Sequence, residues 1–229
     1  MHFSRTFYKG TAICSMVSVI TTLLLIFLPR FFAPIEGFDD RMARIHEPAY
    51  IVRSWAYLLH PFLVLAAALG IAMRIRKVAS AAAVIGLLGF TLWAFNEAAQ
   101  QTLTLFAFDE WRALYATADE ATRERIRTST LIYDGLWDGM YFLLLLGFSI
   151  GNLSFVFAFL SMRWLTRVTA AFLVAAVVLT STFMLSELGW NLPSDALGTW
   201  AYAAVQPLGR ALVGVWLWRF SDELRSLDD

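Results

Sequence analysis

Glu97 is the residue of this sequence best placed to do chemistry. It follows the uncharged, largely apolar run 78–96. Trp93 stands one helical turn before Glu97, and the amides of Asn96 and Gln100 are themselves one turn apart. A carboxyl group inside a membrane is costly, so it marks a functional site by default. We expect Glu97 to face the interior of a helical bundle and to be either paired or protonated there.

Two arginines and one histidine in other apolar segments supply the basic groups that are missing from the helix of Glu97. Arg53 is the most natural ion-pair partner, and Arg210 is the alternative if the helix of Glu97 lies deeper. A second interpretation of Arg210 is that its long side chain extends to the membrane surface or pairs structurally. His60 lies on an apolar helix, where a hydrogen-bonded core histidine is commoner than a ligand or a proton carrier.

Three further carboxylates fall near the same end of the predicted helices as Glu97. Asp134 and Asp138 are one turn apart at the start of the fourth apolar segment, and Glu187 ends the fifth. With Glu97 and the neighbouring aromatic side chains, they predict a polar, aromatic-rimmed pocket that opens to the outer side. The alternative is that the three carboxylates lie in the headgroup region, where the nearby Trp and Tyr residues form the aromatic belt.

The small number of histidines and cysteines excludes most metal and cofactor sites. The chain has three histidines and one cysteine. A bis-histidine haem needs two histidines within helices, and His60 alone meets that condition. Cys14 has no partner for an internal disulfide or a cysteine-rich metal site. Zinc-binding HExxH and phosphate-binding glycine motifs are missing from the sequence. We therefore predict no cofactor, and leave open only a carboxylate cation site.

Composition indicates that these residues are carried on membrane helices. Of the 229 residues, 59% are hydrophobic and 16% are charged, and the mean hydropathy is +0.62. A soluble domain carries about 25% charged residues. Basic and acidic residues number 18 each, so there is no basic excess that would bind nucleic acid.

The sequence predicts an all-α fold, a single polytopic transmembrane helical bundle with about six spans and a short helical outer loop. The predicted spans are roughly 11–32, 50–73, 78–106, 132–161, 164–187 and 196–218. In the outer loop, Thr117 and Glu120 have the spacing of a capping box. This loop is interpreted either as a solvated cap or as a lid over a binding site.

The basic residues of the loops indicate how the chain is oriented in the membrane. Nine basic residues flank the helices on the side of both termini, against seven on the opposite side. The positive-inside rule then places both termini in the cytoplasm.

Two passages resemble a large, uncharacterised family of six-helix bacterial membrane proteins. One passage joins IGNLSF, 150–155, to SMRWLT, 161–166, and the other is 89–97, which ends in Glu97. The family carries an arginine in the second passage and a proline in the loop of the first, and this chain lacks both. The resemblance implies a six-helix fold in a bacterial plasma membrane. It implies no activity, and of the family's residues only Glu97 is carried over.

Three functions fit these observations. The first is binding or transport of a small cationic or amphipathic molecule, held by charge pairing and cation–π contact. The second is a role as an accessory subunit, in which the polar groups bind helices of a membrane-protein partner. The third is a membrane enzyme that uses carboxylate acid–base chemistry on a lipid or isoprenoid.

Overall fold

Eight α-helices and no strand occur among the residues that the computed structural model describes, 3–187, 189–190 and 195–228. The predicted all-α fold is therefore confirmed. The helices are α1 Arg5–Phe27, α2 Phe38–Ala43, α3 Pro48–Ile75, α4 Ser80–Leu103, α5 Asp109–Thr117, α6 Glu120–Leu160, α7 Trp164–Glu187 and α8 Asp195–Asp228. A π-helical turn, Thr104–Phe108, joins α4 to α5.

Five helical segments are long and apolar enough to cross a membrane, which identifies the chain as an integral membrane protein. They are Arg5–Phe31, Pro48–Ile75, Ser80–Thr117, Glu120–Leu160 and Trp164–Leu185. The sixth predicted span, 196–218, lies within α8, where Gln206, Pro207 and Arg210 interrupt the apolar run. Its crossing of the membrane stays a prediction.

The six long helices close into a ring that follows the order of the chain. Helix α1 packs against α3, α3 against α4, α4 against α6, α6 against α7 and α7 against α8, and α8 returns to α1. Helices α4 and α8 are therefore three places apart in a ring of six, on opposite sides. The middle of the ring is flanked by all six helices.

Glycines bring α4 and α6 into very close contact. A Cβ atom added to Gly89 of α4 would lie 2.5 Å from the backbone nitrogen of Gly151 and 2.8 Å from the carbonyl oxygen of Gly147 on α6. Gly147 and Gly151 have the GxxxG spacing that lets membrane helices approach each other backbone to backbone. This crossing fixes the position of the next two turns of α4, which carry Trp93 and Glu97.

Helices α2 and α5 and the start of α6 form a small cap with its own apolar core. Helix α6 has 41 residues and is about 60 Å long at 1.5 Å per residue, roughly twice the hydrocarbon thickness of a bilayer. Its first turns pack with α2 and α5 around the buried side chains of Met42, Phe108, Tyr115 and Ile126. The prediction that the loop containing Thr117 and Glu120 is helical is confirmed.

The predicted capping box at Thr117 is wrong. Thr117 ends α5, and the chain is extended at Ala118 before α6 begins. Asp119 is the N-cap of α6 instead, because its carboxylate accepts a hydrogen bond from the backbone N–H of Thr122 at 2.8 Å.

Candidate functional site

A chamber of about 340 Å³ lies inside the ring, and each of the six long helices contributes to its wall. This volume is at the lower end of the range of about 300–1,000 Å³ found for ligand sites. The apolar wall consists of three aromatic side chains, Trp93, Phe148 and Phe183, and four aliphatic ones. The polar wall consists of Thr22, Arg53, Tyr57, His60, Glu97, Tyr141, Thr180, Tyr202, Gln206 and Arg210.

Glu97 is buried in this wall, as expected, with 4% of its surface exposed. Its Oε1 atom is buried and has no hydrogen-bond partner among the described residues. Two cations, Arg210 and Arg53, line the same chamber. Neither forms a salt bridge with Glu97 in the described part of the chain.

The predicted ion pair between Arg53 and Glu97 is therefore not formed. The Nε–H of Arg53 is directed to α1, where it donates to the carbonyl oxygen of Leu25 at 3.3 Å. The guanidinium group lies over the ring of Tyr57, 5.0 Å from its centroid. These two contacts hold Arg53 at the edge of the chamber.

Helix α8 presents two unpaired donors to the chamber. Gln206 is 5% exposed, and its Nε2 atom has no acceptor among the described residues; the same holds for Nε of Arg210. The Arg210 guanidinium lies 5.8 Å from the centroid of the Trp93 ring. The interpretation in which Arg210 extends to the membrane surface is therefore wrong, since its Nε is buried and the side chain lines the chamber.

His60 is both a satisfied core residue and part of the chamber wall. It is 3% exposed, and its Nδ1 lies 2.7 Å from the hydroxyl oxygen of Thr21 on α1. Its ring meets Trp93 edge to face with centroids 5.9 Å apart. These contacts fix the imidazole between α1 and α4.

A second cavity, the vestibule, has a volume of about 400 Å³ and lies on the side of the cap. Arg53, Tyr57 and Tyr141 line both the vestibule and the chamber. These three side chains therefore form the partition between the two cavities.

Three of the four charged groups in the wall of the vestibule, Arg41, Arg112 and Asp134, are paired, whereas Arg53 forms no salt bridge among the described residues. Asp134 accepts two hydrogen bonds from Arg41, at 2.6 and 2.9 Å. This pairing raises the pKa of the Arg41 guanidinium above its ordinary value. Arg112 donates to Asp109 at 2.8 Å and to the hydroxyl of Tyr50, which itself donates to Asp109 at 3.0 Å.

The remaining predicted residues do not line either cavity. The side-chain amide of Asn96 donates to the carbonyl of Leu92 at 2.8 Å, and that of Gln100 donates to the carbonyl of Trp137 at 2.9 Å. Both amides are buried and serve helix packing. Asp138 is exposed. The side chain of Glu187 lies outside the described residues.

The structure thus divides the single predicted pocket into two parts. Glu97, Trp93, Arg53 and His60 come together in the chamber, whereas Asp134 lies in the vestibule.

Sequence reasoning missed part of the polar wall, including Tyr57 and Tyr202, although its spacing is visible in the chain. Tyr202, Gln206 and Arg210 are four residues apart and form one stripe on α8, and all three line the chamber. Arg53, Tyr57 and His60, which are four and then three residues apart, form a similar stripe on α3. The helical repeat of polar residues was the signal that would have found them.

Comparison with known proteins assigns the chain to no family. No family model matches the chain, no curated protein matches it, and no solved structure matches it. Among the described residues, no group of three or more His, Cys, Asp or Glu side chains is arranged to hold a metal ion.

Proposed function

We propose that this protein binds a small amphipathic molecule in the chamber, as a binding protein or transporter of a bacterial plasma membrane. The observation that carries the proposal is a set of three buried polar atoms without partners among the described residues, namely Oε1 of Glu97, Nε2 of Gln206 and Nε of Arg210. All three belong to residues of one chamber wall. An unsatisfied buried polar group costs about 1–3 kcal/mol, and a bound polar ligand would recover that energy.

The charges of the chamber favour an amphipathic ligand over a purely cationic one. Glu97 is the one carboxylate in the described wall, and it is accompanied by Arg53 and Arg210. A lone cation would be attracted by one group and repelled by two. The aromatic side chains that complete the wall suit the apolar part of an amphipathic molecule.

The other two functions find less support in the geometry. Acid–base catalysis by a pair of carboxylates needs a second carboxylate within reach of the same substrate, and Asp134 lines the vestibule, where it is paired with Arg41. A role as an accessory subunit needs polar groups free to bind other helices. The buried amides of Asn96 and Gln100 instead bind backbone carbonyls within this chain.

The setting in the membrane is part of the proposal. Six spans with both termini in the cytoplasm agree with the ring of six long helices and with the excess of basic residues on the side of the termini. The resemblance of 89–97 and of 150–166 to six-helix bacterial membrane proteins supports the same placement.

Native mass spectrometry of the protein purified in a mild detergent tests the proposal. We expect the wild-type protein to carry one non-lipid small molecule at stoichiometric occupancy. The Glu97→Gln variant should lose that molecule, because it removes the acidic group of the chamber. Asp138→Asn, which changes an exposed carboxylate of α6, is the matched control and should retain it. A stoichiometric protein partner and no small molecule would instead favour the accessory subunit.

A further inference from the structure

We infer that the ligand is a small zwitterion, a molecule that carries an oxyanion and a protonated amine on an apolar body. This inference rests on the proposed function and names the chemistry of the molecule that the chamber would hold. It follows from the opposite placement of donors and acceptor across the ring.

The donors lie together on α8. Arg210 and Gln206 are one helical turn apart, so their side chains lie on the same face. Gln206 is buried and Arg210 is half-buried, and each has a buried N–H nitrogen with no acceptor among the described residues. A guanidinium group does not lose its proton in proteins and has no acceptor capacity, so it requires an acceptor. Two adjacent N–H donors of this kind suit the oxygens of one carboxylate or phosphate group.

The acceptor lies on the opposite side. Glu97 is on α4, which is three places from α8 in the ring. Its buried Oε1 has no donor in the described part of the chain. The complement of a buried carboxylate is a charged N–H donor, and the protonated amine of a zwitterion provides one.

Only a ligand with both charges satisfies both sides. An anion without an amine pairs with α8 but leaves Glu97 unpaired next to a second negative charge. A cation without an oxyanion pairs with Glu97 but leaves Arg210 and Arg53 unpaired. The chamber volume of about 340 Å³ limits the molecule to a small one. Trp93 and Phe148 provide an aromatic surface for its apolar body.

A matched series of three probes tests the inference. L-phenylalanine carries both charges, 2-phenylethylamine carries only the positive one and 3-phenylpropionate carries only the negative one, on closely similar bodies. Equilibrium dialysis against the full chain in phosphatidylglycerol nanodiscs, with empty nanodiscs as the blank, gives a dissociation constant for each. We expect phenylalanine to bind at least tenfold more tightly than either singly charged probe.

Two variants should change this preference in opposite directions. Glu97→Gln should weaken phenylalanine binding about tenfold and leave 3-phenylpropionate at least as well bound as in the wild type. Arg210→Gln should weaken phenylalanine to a similar degree and leave 2-phenylethylamine at least as well bound. Asp138→Asn should change none of the three constants. A variant that fails to fold loses all three probes, so retention of one probe shows that the fold is intact.

The same pair of charges occurs in the headgroup of phosphatidylethanolamine. Nanodiscs that contain phosphatidylethanolamine distinguish a lipid headgroup from a free small molecule as the ligand. If the headgroup is the ligand, this lipid will compete with phenylalanine, and that result supports a zwitterionic ligand supplied by the membrane. Equal binding of phenylalanine and a singly charged probe overturns the inference, as does the lack of binding by all three. Neither result contradicts the proposed function if native mass spectrometry still finds a bound small molecule.

Discussion

The contact of Gly89 with α6 makes a quantitative prediction about the stability of the ring. In Gly89→Ala, the new Cβ atom would lie 2.5 Å from the backbone nitrogen of Gly151, whereas an ordinary Cβ contact begins at 3.4 Å. The two helices must therefore separate locally by about 0.9 Å. A gap of about 0.5–1 Å forfeits a quarter to a half of the attraction of each neighbouring atom pair. Overpacking of this kind costs about 1–3 kcal/mol.

Gly139→Ala on α6 is the matched control, because a Cβ atom at Gly139 meets nothing within 4 Å. Both substitutions gain helix propensity of about 1 kcal/mol, so this gain cancels when the variants are compared. Reversible unfolding in mixed micelles with an increasing fraction of SDS, followed by circular dichroism, measures both free energies. We expect Gly89→Ala to be the less stable of the two by about 1–3 kcal/mol. Equal stability would refute the close packing of α4 and α6.

Two further predictions concern the cap. Arg112→Met should lower the free energy of unfolding by about 3 kcal/mol in the same assay, because it leaves the Asp109 carboxylate, 12% exposed, without its cation; adding Asp109→Asn should recover part of the loss, and an unchanged stability would contradict the buried pair. Hydrogen bonds from the hydroxyl and the backbone N–H of Thr122 hold the pKa of Asp119 below its ordinary value of 3.8. The start of α6 should therefore be fully stabilised above pH 3.8 and should lose this stabilisation as the pH falls through the lower folded-state pKa. Hydrogen exchange at the Thr122 amide measures the effect against Asp119→Asn, whose cap does not titrate; parallel profiles for the two proteins would show that the carboxylate does not cap the helix.

The sequence predicted the apolar helices well, because long apolar runs have few alternatives to a membrane helix. It did not predict that α6 continues without a break from Glu120 to Leu160. The polar first third of this helix belongs to the cap and the rest to the bundle, so a change in composition at residue 131 was interpreted as a boundary. Composition changes where a helix leaves the membrane, but the backbone hydrogen bonds continue.

The candidate site was predicted only in part. The sequence shows how far along a helix each polar residue lies, but it does not show which neighbouring helix or cavity that residue faces. Asp134 and Asp138 are one turn apart, yet Asp134 reaches Arg41 in the vestibule whereas Asp138 is exposed. The close approach of α4 to α6 depends on glycine contacts such as that of Gly89, which hydropathy does not report. From the sequence, Arg210 was predicted only as the alternative partner of Glu97, because hydropathy does not show that its helix lies opposite α4 in the ring.

An experimental structure of the protein purified with its native ligand retained, for example by electron cryomicroscopy, tests the central claim most directly. The account predicts non-protein density in the chamber, in contact with Glu97 on one side and with Gln206 and Arg210 on the other. A chamber closed by a direct salt bridge between Glu97 and Arg210, with no density between them, would contradict it.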